Sequence, residues 1–130
     1  MDDEAHAWLE RANADLLAAK RLLGESLLSG IIAFHTQQAV EKALKAVIVV
    51  QQRKLVRTHD LKRLLVDVKG LSFEPDEEAT LDELTSLYTA SRYPGDIGLL
   101  PKGQPTENDL ERFIALTEKI INQAAVTIRK

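Results

Sequence analysis

AFHTQQAVEKALKA, residues 33–46, is the stretch that decides the fold. It is rich in strong helix formers, contains neither Gly nor Pro, and continues directly into the apolar run VIVV at residues 47–50. Apolar residues therefore fall on nearly every side of the predicted helix. That distribution is typical of a helix in the middle of a bundle, and not of one on its surface.

The same helix carries an organised polar stripe. Phe34, Gln38, Glu41 and Lys45 are spaced by four, three and four residues, so they share one face. Glu41 precedes Lys45 by four residues, which is the favourable orientation for an ion pair. For these polar residues and Lys42, an internal network or a dimer contact is a better interpretation than catalysis.

Length, composition and charge indicate one soluble domain, residues 1–130. A chain of 130 residues suits a single core, and its net charge of −3 argues against general attraction to nucleic acid, although a local basic patch stays open. The absence of cysteine excludes a disulfide, a thiolate metal site and a cysteine nucleophile. The acidic N-terminus is unlike a signal peptide, and the longest apolar run is far too short to cross a membrane. We therefore expect a cytoplasmic protein without membrane contact.

Apolar periodicity predicts four further helices around the central one, and no segment favours a strand. The predicted helices run from Asp2 or Asp3 to Leu23, from Ser29 or Gly30 to about Gln52, from a Thr58 cap to Gly70, from Pro75 to Tyr93, and from a Thr106 cap through Ile128. Trp8 lies on the apolar stripe of the first helix, which favours core packing over ligand binding. The predicted fold is an all-α, antiparallel up-and-down bundle of four longer helices and one short helix.

Motifs for metal, cofactor or hydrolase chemistry are missing from the sequence. The three histidines show no metal-ligand spacing, and there is no phosphate-binding loop and no dinucleotide fingerprint. Ser91 has no flanking glycines of the kind that a hydrolase nucleophile needs. We therefore expect neither a metal nor a cofactor.

Basic residues cluster after the central helix, at Arg53, Lys54, Arg57, Lys62 and Arg63. Such a loop patch could meet phosphate, while a solvated run of charge is the more favoured interpretation.

Two further positions are candidates for anion binding. His59 and Asp60 open the third predicted helix, where free backbone N–H groups favour anions, although Asp60 could simply complement the helix dipole. Arg92 stands beside Tyr93 where the fourth helix meets a long Gly- and Pro-containing loop that extends to about Pro105. Its guanidinium could clamp a phosphate or a carboxylate, or could form a salt bridge that holds the loop.

These residues also carry a family resemblance. QQAVEKALK, residues 37–45, closely resembles the second-helix signature of the HEPN family, the nucleotide-binding domain shared by prokaryotes and higher eukaryotes. A tryptophan-containing first helix, the sequence THDL at residues 58–61 and the sequence RYP at residues 92–94 occur in the order seen in small prokaryotic members. The resemblance covers nearly the whole chain.

The resemblance implies an antiparallel helical bundle that usually dimerises. Small members are often encoded beside a minimal nucleotidyltransferase, and the pair behaves as a toxin–antitoxin system. Many members are metal-independent ribonucleases with an Arg-x(4–6)-His motif, in which the histidine handles the proton and the arginine the phosphate. The two copies of this motif meet across the dimer interface.

This chain departs from the ribonuclease pattern. No histidine follows Arg92, which stands in the late region where the catalytic arginine is expected. Arg53 and His59 satisfy the spacing with five residues between them, but the pair straddles the turn between the second and third predicted helices.

The leading hypothesis is therefore a non-catalytic HEPN protein that acts as a homodimer with a minimal nucleotidyltransferase. In that hypothesis nucleotide or RNA phosphate is bound by Arg92, Tyr93, His59, Lys42 and Lys45.

Two alternatives stay open. The first is a metal-independent ribonuclease toxin that uses His59 as general acid and base, with Arg53, Arg57 or Arg92 on the phosphate. The second is a pure assembly module, in which Gln38 and Glu41 only specify dimer packing.

Overall fold

The computed structural model describes residues 3–52, 57–58, 60–90 and 103–129, with the backbone alone at 88–90. These residues form five α-helices and a short 3₁₀ turn, Ser26–Leu28, and they contain no β-sheet. The helices are α1 (Asp3–Leu22), α2 (Ser29–Gln52), α3 (Leu61–Val66), α4 (Pro75–Ala90) and α5 (Glu107–Ile128). The predicted all-α class is confirmed, and none of these helices is long and apolar enough to span a membrane.

The central position of α2 is confirmed. It packs against α1, α3, α4 and α5, and every residue from Ala43 to Val49 is buried. The largest fully buried side chains include Leu44, Ile48 and, from α5, Phe113. The apolar run that made the helix hydrophobic on all sides is thus the centre of the core.

Contacts between side chains give the helix directions. Lys45 of α2 lies over the ring of Trp8, and Lys42 contacts Asp15, which is further along α1. The two helices are therefore antiparallel. The pairs Lys119–Glu77 and Arg112–Glu83 show in the same way that α4 and α5 are antiparallel. The four longer helices therefore form two antiparallel pairs, α1 with α2 and α4 with α5, as expected in the predicted up-and-down bundle.

Helix ends follow local sequence in α1 and α5. Gly24 adopts a φ of +104°, a conformation that glycine tolerates, in the turn two residues beyond the end of α1. Thr106 caps α5 as predicted: its hydroxyl accepts the N–H of Asp109, whose carboxylate accepts the N–H of Thr106. This capping box satisfies two backbone donors that would otherwise lack partners.

The third helix is shorter than predicted, and its cap is a different residue. Asp60, not Thr58, is the N-cap and accepts the N–H of Lys62, because the helix begins only at Leu61. Thr58 instead accepts the N–H of Asp60, which stabilises the preceding turn. The helix ends at Val66, so Gly70 lies in the linker that follows and does not terminate the helix.

Arg112 ties α5 to α4. Its guanidinium donates to the hydroxyl of Thr80 and to the carboxylates of Glu83 and Asp109. Burial alone would lower the pKa of Arg112, but the hydrogen bonds to Asp109 and Glu83 outweigh it and leave the pKa above its ordinary value. The guanidinium therefore stays charged while it holds the two helices together.

Candidate functional site

Small residues bring α1 and α2 together. Ala5, Ala12 and Ala19 on α1 are fully buried, as are Ala39 and Ala43 on α2. Because short side chains reduce the distance between helix axes, the longer residues at the edge of this contact can reach across it. We call the group at that edge the α1–α2 polar face: Asp15, His35, Gln38 and Lys42, with Glu41 and Lys45 beneath them.

Asp15 is the hub of this face. Its two carboxylate oxygens receive different partners: Oδ2 accepts from Lys42 Nζ at 2.5 Å, and Oδ1 lies 2.9 Å from His35 Nδ1. A carboxylate in this position favours a proton on Nδ1 of the ring. All three side chains are partly buried, so the network links α1 to α2 at the margin of the core.

Glu41 and Lys45 form a deeper pair. Lys45 Nζ donates to Glu41 Oε2 at 3.1 Å, which confirms the ion pair that the spacing predicts. The same ammonium lies 5.2 Å from the centroid of Trp8, within the range of a cation–π contact. Trp8 packs against the core, as predicted, so the charge of Lys45 is held between an acid and an aromatic ring.

Two glutamines continue the polar face. Gln38 Nε2 donates to Gln37 Oε1 at 2.8 Å. Gln37 is almost completely buried, and its own Nε2 has no hydrogen-bond partner among the residues that the structure describes. A buried amide without an acceptor is unusual, and it places a free donor in the central helix next to the polar face.

One side of α2 is open along its N-terminal half. Ile31 is 44% exposed, and Phe34, Gln38 and Lys42 are half-buried along the same side. The other half-buried apolar residues of this region, such as Trp8 and Leu22, pack against the core cluster, whereas Phe34 lies outside it. The central helix therefore presents a stripe of aromatic, aliphatic and polar side chains, which we call the α2 stripe.

Several residues of the predicted site lie outside the described residues. These are Arg53, His59, Arg92 and Tyr93. Arg57 is described and is exposed. Of the predicted phosphate ligands, the structure therefore shows only Lys42 and Lys45, and each of these ammonium groups is bound to a carboxylate.

The sequence did not point to Asp15. It lies between Ala14 and Leu16 on α1, in no recognisable motif, and its partners are 20 and 27 residues away. Its only signal is an acid next to the apolar stripe of an amphipathic helix, which is common on helix surfaces.

The charges of the polar face are paired with one another. No cluster of three histidine or acidic residues that could hold a metal ion occurs in the part of the chain that the structure describes. The cations of the face are neutralised internally, and aromatic and aliphatic carbon is exposed beside them.

A family model for the HEPN domain matches residues 5–126, nearly the whole chain. The chain belongs to the HEPN family. Comparison with proteins of curated function finds no match.

Two solved structures share the fold. TT1696 from Thermus thermophilus superposes with a TM-score of 0.73 at 22% identity, over 97% of this chain and 99% of that one. ST0689, described as an archaeal HEPN homologue, gives a TM-score of 0.64 at 23% identity, over 98% of this chain and 99% of that one. At these identities the likeness concerns the HEPN fold alone.

Proposed function

We propose that this chain is a non-catalytic HEPN protein that forms a homodimer through the α2 stripe and works with a minimal nucleotidyltransferase. The observation that carries the proposal is the stripe itself: the most buried helix of the bundle leaves one side open at Ile31, Phe34, Gln38 and Lys42. A second copy that covers this side would complete the burial of the helix.

The composition of the stripe supports an interface. Aromatic anchors dominate binding energy when they lie at the centre of a patch, and Phe34 has that position, between Ile31 and Gln38 on the same side of α2. The neighbouring charges of Asp15 and Lys42 are already paired within one protomer. Covering them therefore leaves no isolated charge behind, which is the usual obstacle to burying polar surface.

Absence of catalysis rests on the sequence. The ribonucleases of the family pair an arginine with a histidine four to six residues later, and no histidine follows Arg92. His35 is one of the histidines that the structure describes. Its Nδ1 lies 2.9 Å from a carboxylate oxygen of Asp15. Its ring serves the contact between α1 and α2.

Phosphate binding, as the sequence predicts it, centres on Arg92, Tyr93 and His59. Lys42 can join it, because its partly exposed ammonium has donors beyond the one that Asp15 accepts. Lys45 is too deeply buried to touch a phosphate. Its role is the structural ion pair with Glu41. The nucleotidyltransferase partner, and a toxin–antitoxin role for the pair, follow from the family resemblance.

Sedimentation equilibrium tests the dimer. We expect the wild-type protein to show the mass of two chains and Phe34→Asp to show that of one, because a carboxylate at the centre of the interface loses its hydration. Leu27→Asp is the matched control: Leu27 is 96% exposed on the turn before α2, so this variant stays dimeric. Circular dichroism checks that both variants keep their helices. A dimeric Phe34→Asp variant would remove the α2 stripe from the proposal.

Incubation with RNA tests the absence of catalysis. We expect no cleavage by the purified wild-type dimer. Cleavage that disappears in His59→Ala would establish the ribonuclease alternative instead.

Titration with ATP, followed by NMR, tests phosphate binding. We expect saturable shifts in the wild-type protein that are lost in Arg92→Ala.

Co-purification with a minimal nucleotidyltransferase encoded next to this chain tests the partner. Failure of either experiment removes that part of the proposal and leaves the dimer standing.

A further inference from the structure

A cleft of about 610 Å³ opens at the end of the bundle where α2 and α5 both finish. Its described lining comes from the last turns of these two helices and from the linker between α3 and α4. The volume lies in the range of small-molecule sites in proteins. The cleft is at the opposite end of α2 from Ile31 and Phe34, so it is separate from the α2 stripe.

Two glutamines make the walls of the cleft rigid. Gln51 Nε2 donates to the carbonyl of Lys69 at 2.7 Å, and the N–H of Lys69 donates back to Gln51 Oε1 at 2.9 Å. Gln123 on α5 holds Ser72 by the same two-point contact, at 3.2 and 3.3 Å. The linker is thus fixed to both helices, and a ligand would meet a preformed surface whose ordering costs little on binding.

Apolar carbon lies open in the cleft. Val126 is 51% exposed, and Val50 on the facing helix is half-buried against the core. The part of each valine side chain that stays exposed to solvent is not packed in the core. That surface is available to the apolar body of a ligand.

Among the described residues that line the cleft, the charge is close to balanced. Lys69 is the one charged residue among the described lining, which holds no acid. The carbonyl ends of α2 and α5 carry partial negative charge and offset the ammonium. The exposed carboxamide of Asn122 makes no side-chain hydrogen bond to another described residue, so it can both donate and accept.

We propose that this cleft binds a small uncharged amphiphile, with an apolar body between Val50 and Val126 and one hydrogen-bonding edge on Asn122. The site is separate from the α2 stripe, which lies at the other end of α2. Its preference for an uncharged ligand comes from the balance between Lys69 and the two helix ends, and its shape comes from the glutamine-held linker.

Fluorescence titration with 1-anilinonaphthalene tests the proposal, because this uncharged aromatic amine brightens in apolar surroundings. We expect saturable binding to the full-length protein. Val126→Glu should weaken binding at least about tenfold, since a carboxylate on the wall must lose water when the ligand enters. Asn122→Leu, at an exposed helical position, should weaken it by a smaller factor of about three.

Val66→Glu is the matched control, because Val66 is an exposed valine on α3 that does not line the cleft. Unchanged binding in this variant, with amide shifts at Gln51 and Gln123 in the wild type, supports the site. Equal losses in Val66→Glu and Val126→Glu, or binding that never saturates, would overturn it. The sulfonated form of the same probe tests the charge: tighter binding of the sulfonate would overturn the preference for an uncharged ligand.

Discussion

Two parts of this bundle carry ion pairs of similar length but different depth. At the α1–α2 polar face, Asp15 of α1 meets Lys42 of α2 at 2.5 Å, and within α2 Lys45 lies 3.1 Å from Glu41. Between α4 and α5, Arg112 meets Glu83 at 2.9 Å. The Lys45 and Glu41 side chains are 7% and 3% exposed, whereas those of Arg112 and Glu83 are 36% and 35% exposed.

We expect burial, and not distance, to decide how much such a pair affects stability. An exposed pair gains little, because water screens it and the long side chains lose freedom. A buried pair also brings little net stability, yet removing one partner is costly because the other charge stays in the interior. The α1–α2 polar face is therefore the part of the molecule where a single charge change should be felt most.

Lys45→Met should have the largest effect. Methionine keeps the apolar stem of the side chain but removes the ammonium beside Glu41 and Trp8, so the free energy of unfolding should fall by about 3 kcal/mol. Urea unfolding of the wild type and the variant measures the difference.

Lys42→Met is the matched control for that prediction. It makes the same change one turn earlier on α2, at a more exposed position, and should cost clearly less, about 1 kcal/mol. Equal losses in the two variants would contradict the role of depth.

Asp15→Asn should have an intermediate effect. The amide keeps the size of the carboxylate but loses the charge that faces Lys42 and His35, so we expect a loss of about 1–2 kcal/mol in the free energy of unfolding. Glu10→Gln makes the same kind of change at an exposed position of α1 and should stay within about 0.5 kcal/mol of the wild type. A loss in Glu10→Gln as large as that in Asp15→Asn would mean that the net charge of α1, and not the network, is being measured.

Local signals in the sequence predicted one of these contacts and missed the others. The Glu41–Lys45 pair follows from a spacing of four on a helix, which fixes the geometry without knowledge of the fold. The Thr106 cap of α5 was predictable for the same reason, since a cap needs only its own first turn. The all-α bundle followed from apolar periodicity, which reports directly on the buried face of each helix.

Contacts between helices were beyond that kind of reasoning. Asp15 meets Lys42 only because α1 and α2 pack antiparallel at one particular register, which no short motif specifies. The cap of α3 shows a smaller failure, because Thr58 and Asp60 are both good caps and the choice depends on where the helix begins. The predicted residues Arg53, His59, Arg92 and Tyr93 lie outside the described residues, so their roles stay predictions.

The smallest effect belongs to the α4–α5 side and depends on pH. The N–H of Glu74 donates to the carboxylate of Glu77, and Lys119 donates to the same oxygen; both stabilise the ionised form and hold the pKa of Glu77 below its ordinary value of 4.5. Because the folded state has the lower pKa, the contribution of Glu77 to stability is complete above pH 4.5. It is lost as the pH falls through the folded-state pKa.

Titration of the Glu77 carboxyl by NMR, in the wild type and in Lys119→Met, checks this prediction. We expect the variant to recover only part of the shift in pKa, since the backbone donor from Glu74 is the larger cause and stays in place. Complete recovery would assign the shift to Lys119 alone.

In unfolding experiments, Glu77→Gln should be less stable than the wild type at neutral pH, and the stabilities of the two proteins should converge in acid. A difference in stability that persists in acid would show that Glu77 acts through packing and not through its charge. The contrast between the exposed pairs of α4 and α5 and the buried pair of Glu41 and Lys45 would then need a cause other than screening by water.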